Sequence, residues 1–475
     1  MKDVIIIGGG VIGAFVARNL SRYKVDALVI EKENDVGDVT SMANSAIVHS
    51  GYDPVPGTKK AYFNVKGNAM FDDVARELDV SMQRVGSLTV ALEEGQLKLL
   101  HELQERGTQN GVKTVLLSAE EVKAMEPNIS PEVKGALLCP SAGIVNPFTL
   151  TAHAMENATD NGIQIALGEK VVSIAKKDGY YEIQTNKNVY QAKMVINCAG
   201  CYSEEIAKMV EPISWSITPR KGQYYVLDHY APGLVNHVLF PLPSEKGKGI
   251  LVTMTTSGNY LVGPSSEFTD SKEDHSTDVL TLEDVKRQAS LMVPHIPFNE
   301  QIRTFAGLRA TPSTHDFIIE PSKDDPYFIH CAGIESPGLV SSPAIGEYVV
   351  EELVQPLMKF KKNPDYNPCI KPYIKMTKLS EAERDTFLKE HPDYADIICN
   401  CEKISRGEID DCLSRSLPCL TIKAVKKRTR AGFGKCQGGF CQPKVLLEIA
   451  RVSGKSPLEV LYDQDGSEIL LKESK

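Results

Sequence analysis

The chain opens on an apolar run that breaks into glycines and resumes with apolar residues at helical spacing, "DVIIIGGGVIGAFVARNL". That order predicts a buried strand, a tight turn and a helix. A second apolar stretch, "ALVIEKE", predicts another strand ending at Glu31 and completes a βαβ unit. "KMVINCAG" and "PYFIHCAGIESPGLV" repeat the theme far downstream, each an apolar strand running into a glycine turn and a helix. One α/β domain assembled from separated pieces is therefore expected. Between the pieces, "GSLTVAL", "QYYVLD" and "NYLVGP" alternate with strand period and predict a second, α+β domain on a mixed or antiparallel sheet. From about Val354 the composition turns to Lys, Pro, Asn and Asp, and "KFKKNPDYNPCIKP" reads as a linker. A small, mostly helical region is expected over about 397–462, with 356–396 as linker and 463–475 as tail.

A length of 475 residues allows two or three domains. The net charge of −9 argues against a nucleic-acid binder. No apolar stretch is long enough to span a bilayer, and the N-terminus has no basic segment before its apolar run, so no secretory signal is expected. An odd count of eleven cysteines without such a signal fits a reducing cytoplasm better than a disulfide framework. Cys139, Cys198, Cys201, Cys331, Cys412 and Cys419 sit in apolar or mixed contexts and read as small core residues. Cys369 falls in the linker. Cys399, Cys401, Cys436 and Cys441 remain.

Gly8, Gly10 and Gly13 supply G-x-G-x-x-G directly between strand and helix, and Glu31 ends the next strand at the distance suited to a ribose. The motif fits NAD and FAD alike. The following segment, "TSMANSAIVHSGYDPVPGTKKAYF", resembles the D-amino-acid-oxidase-like superfamily of FAD enzymes, which includes glycine oxidases and glycerol-3-phosphate dehydrogenases. The resemblance continues in the family's order through "GIVNPFTLTAHAMENATDNG", "TPRKGQYYVLD", "TFAGLRATPSTHDFIIE" and the two later strand–glycine segments, over about the first 355 residues. It implies a Rossmann-like FAD domain of the glutathione-reductase type built from about 1–80, 145–212 and 325–355, with a substrate domain from about 81–144 and 213–324. It also implies that the cofactor is held by Gly8, Gly10, Val11, Ile12 and Gly13 at the turn, and by Glu31 and Lys32 at the ribose. Ser41, Asn44, Ser45 and His49 follow, with Val171, Ala199, Gly200 and Ser203 from the middle of the chain. Gly307, Arg309, Gly333, Ser336, Pro337, Gly338 and Leu339 complete the set.

Alcohol oxidation on a flavin pairs hydride removal with a base for the hydroxyl proton. His49, in a Gly/Ser-rich turn of the matched segment, is the candidate base; a structural histidine under the cofactor and a covalent attachment point are the other readings. Arg309 matches the arginine with which relatives hold the substrate anion, a task that suits a guanidinium fork. Tyr52 is a further substrate-binding candidate, and Lys221 and Arg220 are weaker ones. In glycerol-3-phosphate dehydrogenases an arginine follows the equivalent histidine closely. Here "HSGYDPV" puts Asp53 in that place, and the stretch looks closer to L-2-hydroxyglutarate oxidases.

The last four cysteines form C-x-C, then C-x-x-x-x-C inside "FGKCQGGFCQP". This resembles the bacterioferritin-associated-ferredoxin-like module, which implies a 2Fe-2S cluster on Cys399, Cys401, Cys436 and Cys441; a structural zinc site is the alternative. Lys426, Lys427, Arg428 and Arg430 precede the second pair and are expected to offset cluster charge or to dock a redox partner. The domain pairing is similar to that of anaerobic glycerol-3-phosphate dehydrogenases. It implies oxidation of sn-glycerol 3-phosphate, with electrons passing to a flavoprotein, a ferredoxin or a quinone-linked subunit, and a cytoplasmic place touching a membrane only through that partner. An L-2-hydroxyacid dehydrogenase and an electron-relay or regulatory subunit with a silent pocket are the alternatives.

Overall fold

The structure is a computed structural model that describes residues 1–229, 233–243 and 249–472. The last three residues of the expected tail, and 230–232 and 244–248 of the expected substrate domain, lie outside it.

The strand Lys2–Ile7 is apolar on both faces because it lies inside the sheet, paired in parallel with Ala27–Ile30 on one side and Val189–Asn197 on the other. Gln164–Ala166 extends this sheet beyond Ala27–Ile30, and Phe328–Ala332 joins Val189–Asn197 in parallel. The antiparallel strands Val171–Lys177 and Tyr180–Thr185 finish one edge, and Ile318–Pro321 pairs with Phe328–Ala332. Helices Val11–Leu20, Pro147–Asp160 and Gly338–Tyr348 cover one face through a shared core that includes Phe15, Leu150 and Ile345. This places the sequence-distant glycine turns at Gly8, Gly200 and Gly333 at the ends of neighbouring parallel strands, where nucleotide sites form in open α/β sheets.

The second sheet is mixed. Its spine is the antiparallel ladder between Ile217–Leu227 and Gln301–Pro312, with Arg220 opposite Arg309 and Gly222 opposite Gly307. Its one parallel pairing among the described residues joins Val238–Pro241 to Ser87–Ala91. A separate core, with Leu88, Val252, Val262 and Val285, lies under this sheet.

Residues 397–462 fold as a short hairpin, Ile397–Cys399 with Ile404–Ser405, and the helices Arg406–Leu413, Ile422–Thr429 and Gln442–Ser453 around Ile409, Val425 and Ile449. Ser405 and Glu408 form a capping box at the first helix, and Thr421 caps the second by accepting from the Ala424 N–H. The stretch 356–396 contains a helix, Glu381–Glu390, opened by the Ser380–Glu383 capping box. Its earlier part is strapped to the α/β domain, where the Arg18 guanidinium donates to the Pro368 carbonyl at 3.0 Å and Ile370 is buried.

Candidate active site and thiol cradle

The first turn is shaped by what cannot fit there. At Gly8, φ is +107° and a Cβ would lie 2.4 Å from the Cys198 carbonyl oxygen; at Gly13 it would lie 2.0 Å from the Gly8 carbonyl oxygen. Both positions therefore exclude a side chain. The helix Val11–Leu20 starts at Gly10 with no side-chain cap on that residue and no acid in its first turn, which leaves a positive end suited to phosphates. Ser41 Oγ accepts the Val11 N–H at 2.9 Å. Glu31 is buried, which raises its pKa, and it accepts the N–H groups of Gly9 at 2.6 Å and Glu33 at 2.9 Å. Turn, helix end and acid fit an adenine dinucleotide, whose pyrophosphate Gly10–Ile12 would hold and whose ribose Glu31 would hold.

A cavity of about 500 Å³ runs from this turn between the two domains. Gly10, Val11, Ile12, Ser41, Asn44, Ser45, His49, Gly200, Gly307, Arg309, Ser336, Pro337, Gly338 and Leu339 all line it. The helix Gly338–Tyr348 opens on it without a side-chain cap or a first-turn acid, so its positive end suits a negatively charged ring edge. Other expected cofactor residues lie behind or beside it. The Ser203 hydroxyl donates to the Gly200 carbonyl at 2.8 Å, Val171 is buried at the start of its strand, and Gly333 turns with φ +63° against Pro312. Ala199 is half-buried beside Gly200, and the Lys32 ammonium lies 4.6 Å over the Tyr202 ring, facing a different cavity.

His49 stands 5.8 Å from the Phe240 ring, and its carbonyl is fixed by the side-chain amides of Asn64 and Asn68 at 2.7 and 2.9 Å. Arg309 is half-buried, and no carboxylate pairs with it among the described residues. Its strand neighbour Arg220 is paired with Glu335 at 2.9 Å, as is Lys60 at 2.9 Å, and the Thr311 hydroxyl donates to the same carboxylate. Against burial, which pushes it up, these cations hold the Glu335 carboxyl below the usual carboxylate range. Among the described Lys and Arg side chains lining this cavity, Arg309 is the one without a carboxylate partner.

Two expected substrate residues are turned away. The Tyr52 hydroxyl shares a 2.7 Å hydrogen bond with Thr89 Oγ1 inside a small apolar cluster, and Lys221 is paired with Asp274 at 2.8 Å. Successive residues of a strand point to opposite faces, so Arg220 at the cavity excludes its neighbour Lys221. Asp53 does line the cavity and has Arg106 at 3.9 Å. Sequence reasoning missed Lys60, Glu335, Tyr224 and Phe240. Lys60, Tyr224 and Glu335 lie within the matched segments "PGTKKAYF", "TPRKGQYYVLD" and "PYFIHCAGIESPGLV", whereas Phe240 carries no local motif.

The four cysteines come together in crosswise pairs. Cys401 Sγ lies 3.7 Å from Cys436 Sγ, and the Cys399 and Cys441 thiols share a hydrogen bond. A single tetrahedral zinc needs four sulfurs mutually about 3.8 Å apart, the edge set by Zn–S bonds of about 2.3 Å. Among the described residues no three His, Cys, Asp or Glu side chains converge to hold one metal ion. Two close pairs suit two irons bridged by sulfide. Cys436 receives the N–H groups of Gly438, Gly439 and Phe440, and Cys399 those of Gly432 and Glu402, donors that favour thiolates. Cys401 is exposed and Cys399 and Cys441 are buried, which gives the cradle one open side.

Two members of the basic run before the second pair are not placed to dock a partner, while Lys426 is attracted by the Cys441 and Cys436 thiols, in line with the expected offset of cluster charge. Lys427 and Arg428 are buried against the α/β domain. Arg428 donates to both oxygens of Asp35 at 2.7 and 2.8 Å, and Lys427 reaches Asp35 at 2.6 Å and also Asp38. They fix the module to its own chain instead of facing a partner.

Comparison with known proteins agrees with this construction. Residues 3–352 match the family described as FAD dependent oxidoreductase, and 397–449 match the BFD-like 2Fe-2S binding domain. A protein from Caloramator mitchellensis described as glycerol 3-phosphate dehydrogenase is 47% identical over 99% of this chain and 98% of its own length. The FAD-bound, dithionite-reduced L-alpha-glycerophosphate oxidase from Mycoplasma pneumoniae superposes with a TM-score of 0.75 at 31% identity, covering 78% of this chain and 99% of that one. An L-2-hydroxyglutarate dehydrogenase from Indibacter alkaliphilus is 26% identical over 74% of this chain and 98% of its own.

Proposed function

The chain belongs to the FAD dependent oxidoreductase family and ends in a BFD-like 2Fe-2S domain, and on that premise we propose that it oxidises sn-glycerol 3-phosphate to dihydroxyacetone phosphate. The observation that carries the reading is Arg309, unpaired among the described residues in the cavity beside the dinucleotide turn, in a chain that aligns end to end with a glycerol 3-phosphate dehydrogenase. Arg309 holds the substrate phosphate, and the Arg220–Lys60–Glu335 group beside it adds net positive charge in place of the arginine that Asp53 displaces. His49 accepts the proton of the substrate's secondary hydroxyl. Bound FAD supplies the two-electron acceptor, and the cluster on the four cysteines supplies a one-electron exit. Phe240, beside His49 in the cavity wall, keeps water from the reacting carbon.

The exposed side of the cradle, at Cys401, is where a flavoprotein, ferredoxin or quinone-linked subunit would meet the chain. Among the described residues no helix is long and apolar enough to cross a membrane, so contact with a membrane would come through that partner.

Asp53 at the cavity favours a second reading, an L-2-hydroxyacid as substrate. Steady-state turnover with an artificial electron acceptor separates the two: sn-glycerol 3-phosphate is expected to give the higher kcat/KM, with dihydroxyacetone phosphate as product. Turnover of L-2-hydroxyglutarate alone replaces the first reading with the second, and turnover of neither leaves the relay subunit.

A further inference from the structure

A second cavity, of about 1000 Å³, lies where the α/β domain, the second sheet and the cysteine module meet. Its walls come from all three: Phe148 from the first, Phe305 from the Gln301–Pro312 strand, and Lys426, Arg430 and Phe433 from the module. It shares Ala43, Asn44 and Ala46 with the flavin cavity, and Gln437, next to the cluster ligand Cys436, borders it opposite. It therefore stands between the two redox sites. Lys32 and Glu33 also line it, so it adjoins the adenosine end of the dinucleotide site. The phosphate turn does not: Gly10, Val11 and Ile12 face the flavin cavity instead.

The charges here do not balance locally. Asp38 is engaged by Lys427 and Lys423, Asp463 by Lys423, Glu33 by Lys32 and Asp465 by the Asn34 amide. Glu273 accepts from the Tyr202 hydroxyl, and Arg430 is used by Glu402 at 2.7 Å. Lys272 is engaged by Glu205 and Lys170 is exposed, which leaves Lys426 as the buried cation of the cavity without a carboxylate among the described residues. Its side chain lines the cavity, the residue is only 6% exposed, and no carboxylate pairs with it among the described residues. Arg303, at the exposed start of its strand, likewise has no acidic partner among the described residues. Lys426 is attracted by the Cys441 and Cys436 thiols and repelled by Arg303 and Arg430, so an anion in the cavity would relieve the repulsion between the cations that line it.

The opposite chemistry is present as well. The Lys426 ammonium lies 4.7 Å over the Phe433 ring, which is 5.2 Å from the Phe148 ring, and the cavity volume falls at the top of the range for small-molecule sites. We propose that this cavity binds a second ligand, a phosphorylated aromatic compound of mononucleotide size, with its phosphate at Lys426 and Arg303 and its ring system against Phe148, Phe305 and Phe433. The site is independent of the substrate reading, because it shares no cation with the flavin cavity.

The test uses the full chain loaded with FAD and cluster. The protein is denatured and its released small molecules are separated; a phosphorylated aromatic compound other than FAD, at about one per chain, supports the proposal. If none is released, flavin mononucleotide, adenosine monophosphate and inorganic phosphate are each titrated by calorimetry. Binding of either nucleotide more tightly than inorganic phosphate supports the proposal. Lys426→Met and Arg303→Gln are each expected to lower occupancy or affinity by about tenfold or more, the loss of a charge-assisted bond, at unchanged FAD content. Should Lys426→Met fail to fold, Arg303→Gln carries the test from an exposed position. No released compound together with no nucleotide binding overturns the proposal, as does binding no tighter than that of inorganic phosphate, or binding unchanged in the folded variants.

Discussion

Replacing Arg428 by Met probes how the cysteine module is held. The guanidinium is buried with the Asp35 carboxylate, and two bonds of 2.7 and 2.8 Å join them in a fork. Both Arg428 and Lys427 hold the Asp35 carboxyl well below the usual range, against the burial that pushes it up. Breaking a buried pair from one side costs about 3–5 kcal/mol, most of it the exposure of an uncompensated charge to a low dielectric. Lys427 stays 2.6 Å from Asp35 in the variant, so the loss belongs at the lower end, about 3 kcal/mol. Urea unfolding of the FAD- and cluster-loaded protein measures it, and limited proteolysis within 356–396 reports detachment of the module. The double variant Asp35→Leu with Arg428→Met removes both charges together and is expected to recover part of the loss. A single variant within about 0.5 kcal/mol of the parent, or a double variant worse than the sum of the singles, would refute the reasoning.

Further outcomes follow from the same geometry. Arg309→Ala is expected to lower kcat/KM for sn-glycerol 3-phosphate by roughly 30- to 1000-fold, equivalent to about 2–4 kcal/mol, with FAD content unchanged; unaltered kinetics in a steady-state assay would remove Arg309 from the substrate site. Cys436→Ser should abolish the paramagnetic signal of the reduced cluster yet leave flavin bleaching by substrate intact, and loss of both would make the module part of the active site. His153 is buried, stacked 4.7 Å from the Tyr373 ring, and bonded to the Leu78 carbonyl through Nδ1 at 2.7 Å. Burial lowers its pKa to about 3, so the unfolded chain binds more protons between about pH 3 and 6.5. Stability therefore rises with pH across that window and falls on acidification, and His153→Phe should flatten the slope measured by urea unfolding.

The parts of the molecule that depend on local backbone demands were readable before folding. Gly8 and Gly13 are forced by a turn and a close carbonyl contact, and apolar strands flank the turn, so motif and element coincide. The four cysteines carry their meaning in their spacing, although the crosswise pairing of Cys401 with Cys436 appears only in three dimensions. Side-chain direction on the Ile217–Leu227 strand was not readable from residue type, because Arg220 and Lys221 are both cations and only pleat and register decide which faces the cavity. Tyr52 was misjudged for a related reason: proximity to His49 in sequence says nothing about the Thr89 hydroxyl that engages it. The Asp35–Arg428 clamp joins residues 393 apart, and neither position has a motif. Lys427 and Arg428 were therefore read with the rest of the basic run as offsetting cluster charge or docking a partner, when they form an internal clamp. The stretch 356–396 read as a linker from its composition, while its capped helix rests on Ser380 and Glu383, a signal that three residues of spacing carried and the Pro- and Lys-rich surroundings hid.

The most direct measurement of the central claim is an anaerobic stopped-flow mixing of the FAD- and cluster-loaded protein with sn-glycerol 3-phosphate, following flavin absorbance and, in frozen samples, the paramagnetic signal of the reduced cluster. The account predicts rapid flavin bleaching followed by cluster reduction, with dihydroxyacetone phosphate formed in step. Flavin that stays oxidised with this substrate but bleaches with L-2-hydroxyglutarate would contradict it.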